Sequence, residues 1–299
     1  MQALWMLLGA FFFAAMAVCV KIASAWFNSA ELVCYRGLIS MLLIWGLARQ
    51  QRLSLATRYP AMHAWRSLVG VVSLGAWFYA IAGLPLATAM TLNYMSSIWI
   101  AAFLLGGTLI VWNPAAGPGA LMRQGPLTLS VLVGFAGVVL TLQPTMSPGQ
   151  LFAGLAGLLS GLTAALAYLQ VMALGKLGEP APRVVFYFAV GSAVAGALGM
   201  AVVGVSPLRW PQALWLLPVG LLATLGQLCM TRAFSRGATL VVACLQYSGI
   251  VFGALFGLLL FGDDIPLAGW AGMALILASG MTATALRARA APQSPVEEH

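Results

Sequence analysis

The sequence predicts an all-α membrane protein, with ten transmembrane helices forming two inverted five-helix repeats around a central cavity. Three observations carry this expectation. The 299-residue chain is 62% hydrophobic and only 7% charged, against about 25% charged residues in an ordinary soluble domain. Its apolar residues gather into ten segments of roughly 17–25 residues, each long enough to cross about 30 Å of hydrocarbon as a helix. Third, the second half of the chain matches the first when the two are slid over one another.

The first segment, near 3–26, ends in "ASA" like a secretion signal, but it lacks a basic start and a related segment recurs mid-chain, so it is read as a spanning helix. The second lies near 30–48. The third, near 64–83, closes with "AGLPLA", the fourth, near 86–112, with "NPAAGPGA", and the fifth, near 126–143, with "LQPTMSPGQ". Glycine and proline mark these joints because they favour turns over helix interiors. The remaining segments lie near 150–174, 182–204, 210–233, 238–260 and 267–287. No loop is long enough to fold by itself, so 1–299 is expected to form a single integral-membrane domain. Repeat one covers about 1–146 and repeat two about 150–289, and the polar, proline-containing tail 290–299 is expected to stay disordered in the cytoplasm.

The formal charge of +8 is distributed as in a membrane protein rather than a nucleic-acid binder. Arg49, Arg52, Arg58 and Arg66 flank the loop between segments two and three, and Arg123 lies between four and five. Lys176 and Arg183 lie between six and seven, Arg232 and Arg236 between eight and nine, Arg287 and Arg289 after ten. With alternating helices all of these fall on one side. The other side carries Lys21 and Arg209 with Glu31, Asp263 and Asp264, the last two read as a solvated turn. This asymmetry places both termini in the cytoplasm.

A shift of 151 residues lays 75–106 over 226–257, matching Gly75 to Gly226, Ala82 to Ala233, Ala87 and Thr88 to Ala238 and Thr239, Ser97 to Ser248 and Gly106 to Gly257. A shift of 152 matches Val33, Tyr35 and Ser40 to Val185, Tyr187 and Ser192. Five helices per half force the second copy to enter the membrane from the opposite face. Inverted repeats that bind substrate near the midplane are the architecture of secondary transporters working by alternating access.

Two stretches, "KIASAWFNSAELVCYRGLIS" and "RGATLVVACLQYSGIVFGALFGLLLFGDDIPLAGWAGMALIL", resemble the drug/metabolite transporter (DMT) superfamily, its EamA branch, and within it the YddG-like amino-acid exporters. The likeness covers nearly the whole chain. The first repeat departs from the family pattern where "TLIVWNPAAGPGALMRQG" lacks the acidic residue that often follows the fourth helix. The resemblance implies a basket of ten helices in a bacterial inner membrane, its cavity lined mainly by helices one, three, four, six, eight and nine. It also implies an exporter.

Polar side chains inside apolar helices are the candidates for a cavity lining, since an amide facing lipid leaves its hydrogen bonds unmade. Gln246, Tyr247 and Ser248 stand together in the ninth segment, and Asn93, Tyr94, Ser96 and Ser97 occupy the matched window of the fourth, with Trp99 close by. Thr224, Gln227 and Thr231 share a face in the eighth, Thr163 and Gln170 share one in the sixth beside Tyr168, and Trp77 and Tyr79 add aromatic surface in the third. The competing reading for each hydroxyl and amide is packing between helices. Lys21 and Glu31 are paired as a clasp or an outer gate, and Arg36 is expected to snorkel outward. Gly157 and Gly161, Gly253 and Gly257, with Gly106 in the matched position, have the spacing of close helix packing.

With no carboxylate in a helix core, the lining is expected to carry no fixed charge. It suits a facilitative carrier of neutral zwitterions, aromatic and other hydrophobic amino acids, better than a carboxylate proton relay. A carrier of cationic drugs or other metabolites, with or without proton coupling, would share these features. Cys19, Cys34, Cys229 and Cys244 have neither metal-ligand nor redox spacing. No nucleotide-binding, Ser/His/Asp or zinc-protease motif occurs, so the chain is not expected to be an enzyme or to need a cofactor. The expected partners are a small-molecule substrate and the lipid bilayer, with neither nucleic acid nor an obligate protein partner.

Overall fold

A computed structural model describes residues 2–84, 86–110, 119–144, 149–207, 210–262 and 264–290. Arg209, Asp263 and the tail from 291 lie outside the described residues, as do the side chains of Arg123, Arg287 and Arg289.

Among the described residues ten helical spans follow one another, two of them broken. They are α1 (Gln2–Ala23), α2 (Ser29–Gln50), α3 (Pro60–Gly83), α4a (Leu86–Tyr94) with α4b (Ser96–Ile110), and α5 (Gly119–Leu142). The second half continues with α6 (Leu151–Lys176), α7 (Ala181–Val203), α8 (Leu216–Arg236), α9a (Thr239–Leu245) with α9b (Ser248–Phe256), and α10 (Leu267–Ala290). Among the described residues nine segments are long and apolar enough to cross a membrane, and α3 is the tenth helix. The chain is a multi-pass, all-helical membrane protein.

Local chemistry explains the ends. Asn28 caps α2 with its side chain on the Glu31 N–H, while Glu31 accepts from the Asn28 N–H at 2.7 Å, a reciprocal capping box. Pro60 stands in the first turn of α3, where its missing N–H costs nothing, so α3 starts four residues before the expected boundary. Gly204 ends α7 with φ of +92°, a conformation open to glycine.

The pairing of helices is compatible with an inverted repeat. α2 packs on α7 and α5 on α10, while α3 packs on α6 and α1 on α8. Exchanging the halves turns each of these pairs into itself or into another of the set. Matched residues also meet: a Cβ at Gly37 would stand 2.9 Å from the carbonyl of Ala189, its partner under the 152-residue shift. Gly137 and Gly272 bring α5 and α10 together in the same backbone-to-backbone way.

The expected packing glycines divide. Gly157 and Gly161 lie against α4a, where an added Cβ would stand 2.6 Å from Leu92 Cδ1 and 2.5 Å from the Leu92 carbonyl. At Gly106 and Gly253 an added Cβ would meet nothing within 4 Å, which corrects their assignment to close packing. Gly257 is buried and opens a π-helical turn, Gly257–Phe261.

Candidate functional site

The two breaks fall at matched places. α4 is interrupted at Met95 and α9 at Gln246 and Tyr247, and Met95 maps onto Gln246 under the same 151-residue shift that aligns the sequence. At the second break the backbone tightens, with Gly249 and Ile250 donating three residues back to Gln246 and Tyr247. Interrupting a helix frees carbonyls that must find partners in a water-poor interior. Ser97 supplies one, its Oγ donating to the Ala243 carbonyl at 2.8 Å, so the first break's serine satisfies the second broken helix. Gln246 reaches the buried Ser96 Oγ at 3.5 Å and leaves its Oε1 without a partner among the described residues.

Around this crossing the expected lining is partly assembled. Asn93 donates to Ser160 Oγ of α6 at 3.1 Å, and Ser160 in turn donates to the Gly157 carbonyl. Tyr168 stacks on Phe234 of α8 with ring centroids 4.9 Å apart and lies beside Gln246. Tyr94 is half-buried against the same region, its hydroxyl next to Gly249. Gln170 Oε1 and Trp99 Nε1 are buried without partners among the described residues, and Trp77 is half-buried on the inner face of α3.

Several expectations are corrected. Tyr79 is 60% exposed and shares the outer face of α3 with Trp65, Leu68 and Val72. Tyr247 is fully buried behind the crossing, against Gly134 and Phe135 of α5, so it packs rather than lines. Ser248 returns its hydroxyl to the Leu245 carbonyl, and Thr163 to that of Leu159. Thr224 bridges to Ser40 of α2 at 2.8 Å, while Gln227 one turn on borders a small cavity. The Glu31 carboxylate does not pair with Lys21. It is fully buried and accepts from the Ser206 N–H and hydroxyl, both at 2.7 Å, tying α2 to the segment after α7.

The largest correction concerns charge. Arg36 lies two turns inside α2 and Arg66 six residues inside α3, each about 10 Å from its helix start. Neither snorkels to an end. Arg66 is 2% exposed, its guanidinium carbon is 3.8 Å from the centre of the Phe188 ring, and Arg36 approaches the same ring at 6.0 Å. Arg36 also borders the small cavity with Ser40, Phe188, Ser192 and Gln227, which has room for roughly one water. The Nε and Nη1 of Arg66 have no hydrogen-bond partner among the described residues. The interior therefore holds two arginines, Arg36 from α2 and Arg66 from α3, against the α7 ring of Phe188, and α2 and α7 border the small cavity beside Arg36. Arg66 escaped notice because a third helix begun at 64 counts it as a loop residue; Pro60 was the available signal.

At the arginine-rich face a second cluster joins the halves. Glu179, before α7, accepts from Thr57 at 2.9 Å, lies 3.2 Å from His63 Nε2 and receives Arg183 on both oxygens at 3.1 Å. Arg183 also donates to the Ser54 carbonyl. Burial pushes the Glu179 carboxyl up, but the hydrogen bonds from Thr57, Arg183 and His63 outweigh it and hold the group below the usual carboxylate range. It mirrors the Glu31 site: there the start of α2 holds the segment after α7, here the start of α7 holds the segment after α2.

No protein-family model matches the chain. An uncharacterized transporter of Helicobacter pylori (strain J99) is 30% identical over 278 residues, covering 90% of this chain and 89% of that protein. The pseudopaline exporter CntI of Pseudomonas aeruginosa (strain PAO1) is 32% identical over 268 residues, 87% of each. A riboflavin transporter of Rhizobium johnstonii is 28% identical over 235 residues, 77% of this chain and 73% of that protein. A solved crystal structure with 19% identity superposes with a TM-score of 0.79 over 96% of this chain and 98% of that one, a likeness of fold.

Proposed function

The chain belongs to the membrane-transporter family that includes the pseudopaline exporter CntI, and from that premise we propose that it exports amino acids or amino-acid-like metabolites by alternating access. The observation that carries this reading is the pair of broken helices, interrupted at matched residues and joined to each other through Ser97 and the Ala243 carbonyl. Discontinuous helices that cross at mid-depth offer backbone and side-chain polar groups to a substrate where continuous helices offer none. Asn93, Gln246, Gln227 and Tyr168 supply the neutral polar surface, and the rings of Trp77 and Trp99 the apolar one.

The same proposal includes membership of the EamA branch, insertion in the bacterial inner membrane with both termini cytoplasmic, and transport down the substrate gradient. The repeat and the arginine asymmetry support it. The relatives named for pseudopaline and riboflavin support a small metabolite as cargo. Arg66, buried, and Arg36, half-buried, weigh against cationic drugs, which they would repel.

Efflux from liposomes holding only the purified protein and radiolabelled amino acids tests the reading. Saturable efflux, lowered about tenfold or more in Asn93→Ala or Gln246→Ala protein that still folds, is the expected result. Wild-type rates in both variants would return these residues to helix packing.

A further inference from the structure

We propose that Arg36 and Arg66 are the anion seat of this protein, and that its substrate is a small organic molecule carrying two or more carboxylates. The inference deepens the carrier reading and rests on it. Two guanidiniums converge on one aromatic ring, Phe188, from different helices, and stand no further apart than the two ring distances combined. The carboxylates that could neutralise them are committed elsewhere: Glu31 to Ser206 and the α2 cap, Glu179 to Thr57, His63 and Arg183. Among the described residues no ion pair reaches either arginine. Arg66 is nearly wholly buried with two of its nitrogens unpartnered among those residues, so part of its hydrogen-bonding demand is unmet among them.

A guanidinium presents paired donors in a fork that matches a carboxylate. One carboxylate would leave the second arginine uncompensated, whereas a molecule with two or more can answer both. The surroundings suit an organic anion over a bare ion. The Phe188 ring stands against both guanidiniums, the Ser40 and Ser192 hydroxyls and the Gln227 amide border Arg36, and Tyr168 lies within electrostatic reach of Arg66. Ser192 Oγ is itself buried and unpartnered among the described residues. Ser40 and Ser192 are matched residues of the two halves, so the seat lies where the halves meet.

The test uses the full-length protein in nanodiscs, with equilibrium dialysis of radiolabelled citrate and glutamate against competing phenylalanine, tetraphenylphosphonium and inorganic phosphate. The carboxylates should bind, citrate more tightly than glutamate, and Arg36→Gln or Arg66→Gln should weaken them about tenfold or more, while Arg36→Lys and Arg66→Lys retain part of the affinity. The Lys variants also report on folding, by gel filtration. No carboxylate binding into the millimolar range, equal binding of phosphate or the cation, or unchanged affinity in the folded double Gln variant would overturn the seat. The carrier reading fails separately: arginine-dependent binding without flux from liposomes would leave the seat and remove the carrier, and saturable flux of neutral amino acids indifferent to both arginines would do the reverse.

Discussion

Arg66 illustrates how much one side chain can decide. An unpaired arginine at membrane depth costs about 2.5–3.5 kcal/mol or more, and a fold that keeps two of them against one phenylalanine needs a compensating interaction. Phe188 supplies part of it as a cation–π partner at 3.8 Å from Arg66. Phe188→Leu should therefore cost about 1–2 kcal/mol of stability in lost cation–π and ring packing and so lower the melting temperature in detergent; an unchanged melting curve would mean the ring contributes nothing to holding the charge. Glu179 offers a second residue-scale test. Its folded-state affinity for protons is lowered, so its contribution is present above the ordinary carboxylate range and is lost as pH falls through the depressed folded value. Thermal stability should hold from neutral pH down to the usual carboxylate range and decline as pH falls from there through the depressed folded value, and Glu179→Gln should flatten that acid limb.

At the scale of elements, the α2–α7 and α4a–α6 contacts depend on missing side chains. Gly37→Ala would drive a methyl to 2.6 Å from the Ala193 nitrogen, and Gly161→Ala to 2.5 Å from the Leu92 carbonyl. Each should destabilise the protein by about 1–3 kcal/mol, whereas Gly253→Ala, facing open space, should be neutral; thermal unfolding of the three variants separates the cases. Hydrophobic runs and Gly/Pro joints made the spans readable in the sequence, because both act locally. The breaks at Met95 and Gln246 were not readable. No proline or glycine interrupts "LNYMSS", and what holds α4 and α9 open is a contact between them, Ser97 to the Ala243 carbonyl, 146 residues apart. Asn93, Ser97 and Gln246 come together at the two breaks, whereas the outward turn of Tyr79 and the inward packing of Tyr247 depend on which neighbour each face meets. Arg66 was misassigned for a related reason: a charge count per loop presumes that a basic residue near a helix end reaches solvent, whereas Arg66 lies against Phe188, and Arg36, expected to snorkel, approaches the same ring.

For the whole molecule, helices from the two parts of the chain meet at the crossing of α4 and α9 and around Arg36, Arg66 and Phe188. Ser97→Ala would strand the Ala243 carbonyl at the crossing and should cost about 1–3 kcal/mol, with flux falling together with stability. The central claim is that a substrate is carried, one molecule per conformational cycle, between matched halves. Counterflow measures this most directly: liposomes containing the purified protein and loaded with unlabelled substrate are diluted into a trace of the same labelled compound, glutamate or citrate first. A carrier predicts that the label accumulates transiently above its outside concentration, and that the accumulation saturates with the internal load. Label that only equilibrates, at a rate proportional to concentration and indifferent to the internal load, would contradict alternating access and describe an open pore.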